Sequence, residues 1–482
     1  MLFSSPIFLF LFLPITLLGY YIGNKASKNY WLLAASLVFF AWSGLKFTAI
    51  LLFSIVINYA FGLIIEKNKK TNYARYSLIT GLSINIGLLA VFKYANFTVA
   101  NLNKLLHFLH FDKLASPEII LPIGISFYTF HSISYLVDIY RGKTSAQKNI
   151  FNLALYIAMF SQLIAGPIIR YSDVWQQLTT RTHSFFKFTE GVERFLIGLA
   201  KKVLLANVFG FVSDKLLGDD TMQLNAANAW LGIICYTLQI YCDFAGYSDM
   251  AIGLGKMFGF DFMENFNYPY IAKSIKEFWR RWHISLSSFF KDYVYIPLGG
   301  NRVSPKKQYL NLIIVFFITG LWHGASWTFI IWGLFHGFFL LVEKAFLSKL
   351  LEKTWKPLAN LYTLTVVIFA WVLFKKNHLG AALHYWKEMF TFNLNPEQNN
   401  LFFSFMNPEF YLAITVTILG SFGFFNLLSN KLNIVLSTNT PINKPLNIIY
   451  HTITAFFYGA ILILCSIYLI AGTYNPFIYY QF

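Results

Sequence analysis

Residues 278–302 read FWRRWHISLSSFFKDYVYIPLGGNR, and residues 320–329 read GLWHGASWTF. Between them they place His283 and His323 in a chain that is otherwise mostly apolar. Imidazole titrates near neutral pH, and an ionisable group at membrane depth is expensive enough to imply a task. The first stretch mixes Arg280, Arg281, Lys291 and Arg302 with Trp279, Trp282, Phe289, Tyr293 and Tyr295. It is too basic for an ordinary spanning helix and too aromatic for an ordinary loop. Pro297-Leu298-Gly299-Gly300 interrupts it before it can cross a bilayer. Broken backbone at that depth is tolerated only where protein or a water-filled cavity covers it. The stretch therefore reads as a re-entrant or interfacial segment beside a reaction site.

The rest of the chain explains why depth matters. Of its 482 residues, 57% are hydrophobic and 20% aromatic, while 12% are charged. Soluble domains carry about 25% charged residues. Half that, spread over repeated apolar runs, means a polytopic membrane protein. A helix needs about 20 apolar residues to cross a bilayer. Candidate spans lie near 2–22, 30–45, 47–65, 77–97, 119–139, 150–169, 192–213, 228–252, 309–325, 327–343, 360–374, 410–428 and 448–471. The expectation is an all-α protein with about eleven to thirteen membrane-embedded segments, re-entrant and interfacial ones included. It forms a single integral-membrane domain over residues 1–482, with a motif core roughly at 120–340. The opening run at 1–23 lacks a basic leader and a small-residue cleavage site, and is read as a retained helix.

Net charge is +17. The basic residues cluster in short loops, which the positive-inside rule explains without nucleic acid. Loops near 24–28, 66–75 and 141–148 read as cytoplasmic, which places the N-terminus outside. The parity then fails at the basic loop 170–194. The amphipathic GVERFLIGLAKKVLLANVFG (191–210) is therefore expected to lie in the interface rather than to span. Residues 273–307 carry eight Lys or Arg and two acids, so they too read as cytoplasmic. Cys235, Cys242 and Cys465 sit in apolar runs without metal-ligand spacing and read as small hydrophobes. No metal ligand set is expected.

Most of the ten histidines need no task. His107, His110, His183, His378 and His384 lie in polar connections, and His131 and His451 read as packing partners. His323 has unusual company in Gly320, Trp322, Gly324, Ala325 and Ser326, small residues that let another backbone or a substrate approach. Its helix begins near Tyr309, roughly 20 Å away. His336 would lie about 20 Å further along one straight helix and on another face, which excludes a direct dyad and favours packing. His283 is either a structural imidazole or a second group lining the site. Arg280 and Arg281 can clamp a phosphate or carboxylate, or anchor to lipid headgroups. Asp243 and Asp249 should pair with cations, for which the arginines of 278–302 are candidates. No P-loop, GxSxG elbow, HExxH or dinucleotide fingerprint occurs in a sensible setting.

The pattern FWRRWHISLSSFFKDYVYIPLGGNR followed by GLWHGASWTFIIWGLFHG resembles the membrane-bound O-acyltransferase family. Within it, the likeness is to the bacterial branch of alginate O-acetyltransferases, with peptidoglycan O-acetyltransferases and the teichoic acid D-alanyl transfer protein as relatives. LFSSPIFLFLFLP, LPIGISFYTFHSISYLVDIYRG, FSQLIAGPIIR, YCDFAGYSDMAIG and the ending YNPFIYYQF extend the resemblance over nearly the whole chain. It implies many helices around a thin central region with a funnel from each face. It maps the essential histidine of the WHG motif onto His323 and the second family histidine onto His283. The implied activity moves an acyl group, by branch acetyl, from a cytoplasmic thioester donor to a hydroxyl acceptor across the membrane. The donor is acetyl-CoA or an acyl carrier protein, with no bound cofactor. The branch further implies the bacterial inner membrane, an extracytoplasmic acetyltransferase partner and a polysaccharide acceptor.

Elementary chemistry fits that expectation. A hydroxyl becomes an effective nucleophile when a positioned base takes its proton, a gain of typically 10²–10⁴-fold. His323 is the expected base. His283, with backbone donors near Gly299 and Gly300, is expected to position the donor or stabilise the oxyanion. Trp279, Arg280, Arg281 and Trp322 are the candidate donor-binding residues. Alternatives are peptidoglycan or another envelope polymer as acceptor, a transporter of polysaccharide or lipid-linked sugar, and a scaffold for polymer synthesis. Transporters often carry paired broken helices. One broken segment without a partner is apparent here.

Overall fold

A computed structural model of the chain describes residues 1–163, 166–218, 222–392, 396–437, 443–472 and 474–476. These form helices and connecting turns, with no strand among the described residues. Six helices are long and apolar enough to cross a membrane, beginning with Leu45–Lys67 (α1), Asn72–Phe108 (α2) and Phe185–Leu217 (α4). The others are Trp327–Lys353, Lys356–Lys375 (α10) and Ile448–Ile470, and a pair bent by 69° at Pro396–Ser404 and Pro408–Ser421 makes up to seven. Between α2 and α4 lies Ile125–Tyr140 (α3). Ala226–Met257 (α5) follows α4, then two short helices, Ile275–Arg281 (α6) and Ile284–Phe290 (α7). Pro305–His323 (α8) and Trp327–Val342 (α9) come next, ahead of α10.

Fewer runs are span-length helices than the apolar pattern predicts. Run 2–22 folds as a π-helical turn, Phe8–Phe12, continuing into Leu13–Ile22. Run 150–169 breaks into Ile150–Ala158 and Phe160–Leu163. Residues 153–158 of the first piece and all of the second are buried in protein. An apolar run records removal from water, and protein satisfies that demand as well as lipid does.

Segment 191–210 is a correction of another kind. It is the middle of α4, which packs antiparallel along α5 and is long and apolar enough to cross a membrane. Glycines permit this contact. A Cβ on Gly198 would lie 2.4 Å from the Gly246 carbonyl, and one on Gly253 would lie 2.5 Å from the Gly191 carbonyl. Helix backbones can meet this closely only where neither carries a side chain.

The same contact gathers charge. Lys201–Ala206 is π-helical, and it turns two successive lysines toward α5. Lys201 lies 2.6 Å from Asp249 and Lys202 lies 2.9 Å from Asp243, while Arg194 reaches Asp249 at 2.6 Å. The aspartates do pair with cations, but the cations come from α4 and not from residues 278–302. The three cysteines are buried free thiols.

Candidate active site

Helix α8 starts with Pro305 at its first position, where a missing N–H costs nothing. It ends at His323, and Ser326 then caps α9 by accepting from Phe329 N. The chain thus folds back on itself within three residues. A Cβ on Gly333 would lie 2.2 Å from the Phe316 carbonyl, and one on Gly320 2.4 Å from the Phe329 carbonyl. The small residues around His323 therefore serve the approach of α9. The fold-back also changes the position of His336. The ring of Trp332 sits 4.9 Å from that of His323 and 5.1 Å from that of His336, so one indole separates the two imidazoles.

His323 packs edge-on against Trp322, Trp332 and Phe374, at centroid distances of 4.8, 4.9 and 5.1 Å. It is 8% exposed, whereas His283 and His336 are 0% exposed. Of these three clustered imidazoles, His323 alone reaches open space.

His283 caps α7 with a left-handed backbone, φ +44°. A non-glycine residue there stores strain that its surroundings must hold. Asn265 does the holding. Its Oδ1 lies 3.0 Å from His283 Nδ1 and accepts from Ser285 Oγ at 2.9 Å, while its Nδ2 donates to Ser248 at 3.0 Å. Because Asn265 presents its oxygen, His283 carries its proton on Nδ1 and a lone pair on Nε2. Nε2 is buried with no partner among the described residues. The His283 ring lies 6.1 Å from that of Trp322, which places this indole between the two motif histidines.

Helix α6 carries the remaining candidates. Ser274 caps it through Glu277 N, and Glu343 accepts from Ile275 N at 2.6 Å and Lys276 N at 3.0 Å. The helix's own cap and one distant residue thus satisfy three of its orphan donors. Its inner face puts Trp279 5.1 Å from His336 and 5.8 Å from Trp332. Its outer face puts Arg280 into a cleft of about 940 Å³ with Lys273, Lys276, Lys344 and Lys356. Three acids line it as well, Glu277, Glu343 and Glu352, against the five cations; Glu277 pairs with Arg281 at 2.8 Å, and Glu343 holds the α6 donors. The cleft is cationic.

The chain is similar to known proteins over most of its length. The membrane-bound O-acyltransferase family model matches residues 8–381. A probable alginate O-acetylase AlgI from Azotobacter vinelandii is 46% identical over 81% of this chain and 78% of its own. A protein so named from Pseudomonas putida is 40% identical over 100% of both chains. The peptidoglycan O-acetyltransferase of Helicobacter pylori is 40% identical over 82% of this chain and 80% of its own.

The chain belongs to the membrane-bound O-acyltransferase family. It is a multi-pass membrane acyltransferase, and its geometry sorts the residues expected to act in it. His323, Trp322 and His283 form one cluster, and Trp279 joins it through Trp332 and His336. Arg280 lies at the cleft. Arg281 is not among the lining residues, and its guanidinium is engaged by Glu277 and the Asn267 carbonyl. The paired-arginine clamp is not formed. Gly299 and Gly300 supply no oxyanion donors either: their N–H groups close turns onto the Ile296 and Tyr295 carbonyls, each at 2.9 Å. Leu298 O accepts from Asn311, about 18 Å of helix away from His323. Of the ending YNPFIYYQF, residues 477–482 lie outside the described residues.

The sequence reading missed four residues. Asn265 and Glu343 act through folding and carry no local signal. Lys93 and Tyr94 of α2 bond the backbone around His323, and a lysine inside an apolar run was the signal that could have found them.

Proposed function

We propose that this O-acyltransferase takes an acetyl group from a thioester donor docked at the Arg280 cleft, for O-acetylation of an extracytoplasmic polysaccharide such as alginate. The observation that carries the reading is the position of His323. It alone of three clustered imidazoles keeps any exposure, and it packs through Trp332, His336 and Trp279 against the helix that puts Arg280 into a cationic cleft.

His323 removes the acceptor hydroxyl proton as the oxygen attacks the thioester carbonyl. Collapse of the tetrahedral intermediate expels the thiolate, which takes that proton back from the imidazolium. The Trp322 indole N–H, buried and without a partner among the described residues, is a donor suited to the developing oxyanion. His283, with a lone pair on Nε2, suits holding a substrate N–H or O–H rather than an oxyanion. The five cations of the cleft suit the phosphates of coenzyme A or of a carrier protein's phosphopantetheine. On this reading the protein lies in the bacterial inner membrane, its cleft facing the cytoplasm, and a partner acetyltransferase outside completes delivery. The Helicobacter relative favours peptidoglycan as the second candidate acceptor.

The test is transfer from radiolabelled acetyl-CoA by purified protein in nanodiscs. Wild type should turn over, and His323→Ala should lose roughly 10²–10⁴-fold. Full activity in His323→Ala would refute the assignment. If wild type is silent with acetyl-CoA, acetylated carrier protein is supplied in its place.

A further inference from the structure

Helix α8 ends at the proposed catalytic residue, and a helix end leaves its last four carbonyls without intrahelical partners. Here all four are accounted for. Gly320 O accepts from Gly324 N at 3.4 Å. Leu321 O accepts from the Tyr94 hydroxyl at 2.6 Å. Trp322 O accepts from the Lys93 ammonium, and His323 O from the same ammonium at 3.3 Å. Two consecutive residues of one neighbouring helix thus satisfy three of the four.

Lys93 lies 21 residues past the start of α2, about 32 Å along it. A lysine at that height can extend its ammonium outward to the interface. This one turns inward onto carbonyls and sits 5.8 Å over the Trp322 ring. A cation is also favoured at the negative end of the α8 dipole. The grip continues past the turn. Asn101 accepts from the Trp327 indole at 3.0 Å, and Phe97 packs on that indole at 5.9 Å. Lys93, Phe97 and Asn101 are four residues apart and share one face of α2, a helix mostly turned away from protein.

We propose that Lys93 and Tyr94 are positioning residues for His323. They pin the backbone at the tip of the α8–α9 hairpin so that the imidazole meets the acceptor hydroxyl in line with the thioester. The proposal rests on His323 being the base. A misplacement of about 1 Å can cost 10²-fold in rate.

The experiment measures kcat and KM for the acetyl donor in nanodiscs for Lys93→Met, Lys93→Arg, Tyr94→Phe and His323→Ala. Monodispersity and thermal unfolding are followed alongside. Lys93→Met should lower kcat about 10²-fold with donor KM unchanged. Lys93→Arg, which can also donate to two carbonyls, should recover to within about tenfold of wild type. Tyr94→Phe should lower kcat about fivefold. Wild-type kcat in Lys93→Met beside a dead His323→Ala would overturn the positioning role. A raised KM with kcat kept would also overturn it, by making Lys93 a donor contact. An active His323→Ala would remove the base itself, and the proposal with it. Should Lys93→Met fail to fold, Tyr94→Phe decides: reduced kcat at wild-type stability supports the role, and unchanged kcat overturns it.

Discussion

Asn265 Oδ1 and His283 Nδ1 lie 3.0 Å apart, and the same oxygen accepts from Ser285 Oγ at 2.9 Å. One amide therefore sets the tautomer of His283 and closes the turn before α7. Asn265→Ala removes both services at once. It is expected to lower kcat at least tenfold and to cost about 1–3 kcal/mol, the penalty for buried donors left unpaired. Acetyl-transfer kinetics and thermal unfolding read the two effects separately. Wild-type kinetics in this variant would mean that the ring orientation of His283 does not matter.

Arg280 and Arg281 are adjacent but should behave differently. Arg280→Glu puts an anion into a cationic cleft and should raise donor KM about tenfold, more at low salt than at high. Arg281→Ala removes a part-exposed pair with Glu277, worth about 1 kcal/mol or less, and should leave KM alone. Equal effects on KM would place the donor elsewhere.

Lys202 and Asp243 form a buried pair, with side chains 1% and 2% exposed. Lys202 also donates to the Pro476 carbonyl, so Asp243→Leu leaves the ammonium with a neutral acceptor but no counter-charge in the core and should cost about 3–5 kcal/mol. The double variant Lys202→Met, Asp243→Leu should recover most of that loss in thermal unfolding. A single variant as stable as wild type would show that the Pro476 carbonyl or water is enough for Lys202 without Asp243.

Gly198 and Gly87 make a matched test of helix glycines. Gly198→Val drives a side chain against the Gly246 carbonyl, and overpacking of that kind costs about 1–3 kcal/mol or more. At Gly87 of α2, by contrast, a Cβ would meet nothing within 4 Å. Gly87→Ala should stabilise by up to about 1 kcal/mol through helix propensity alone. Expression level and unfolding temperature in detergent check both.

What the residues said unaided was chemical and local. Composition made the chain a membrane protein, and the resemblance of the motifs holding His283 and His323 to a known family made it an acyltransferase candidate. Those readings rest on residue type and short separations, which survive in one dimension. Which apolar runs are long enough to span was harder to read, because a buried run and a lipid-facing run look alike until their neighbours are known. Segment 191–210 reads as amphipathic, and only its contact with α5 shows that the polar face meets Asp243 and Asp249 rather than lipid headgroups.

The site divides the same way. His323 and His283 stood out as candidates from their motifs, and Arg280 from its charge. Separating Arg280 from Arg281 required the Glu277 pair, and withdrawing Gly299 and Gly300 required the turn that uses their N–H groups. Lys93 lies 230 positions from His323 in sequence, and Asn265 sits in what reads as a plain polar connection. Sequence by itself determined which chemical groups are present and which medium surrounds them, because both follow from side-chain identity. The tertiary structure decided which of those groups are left free to react. A donor or acceptor is available only if nothing else in the fold has already taken it, and that depends on partners far away along the chain.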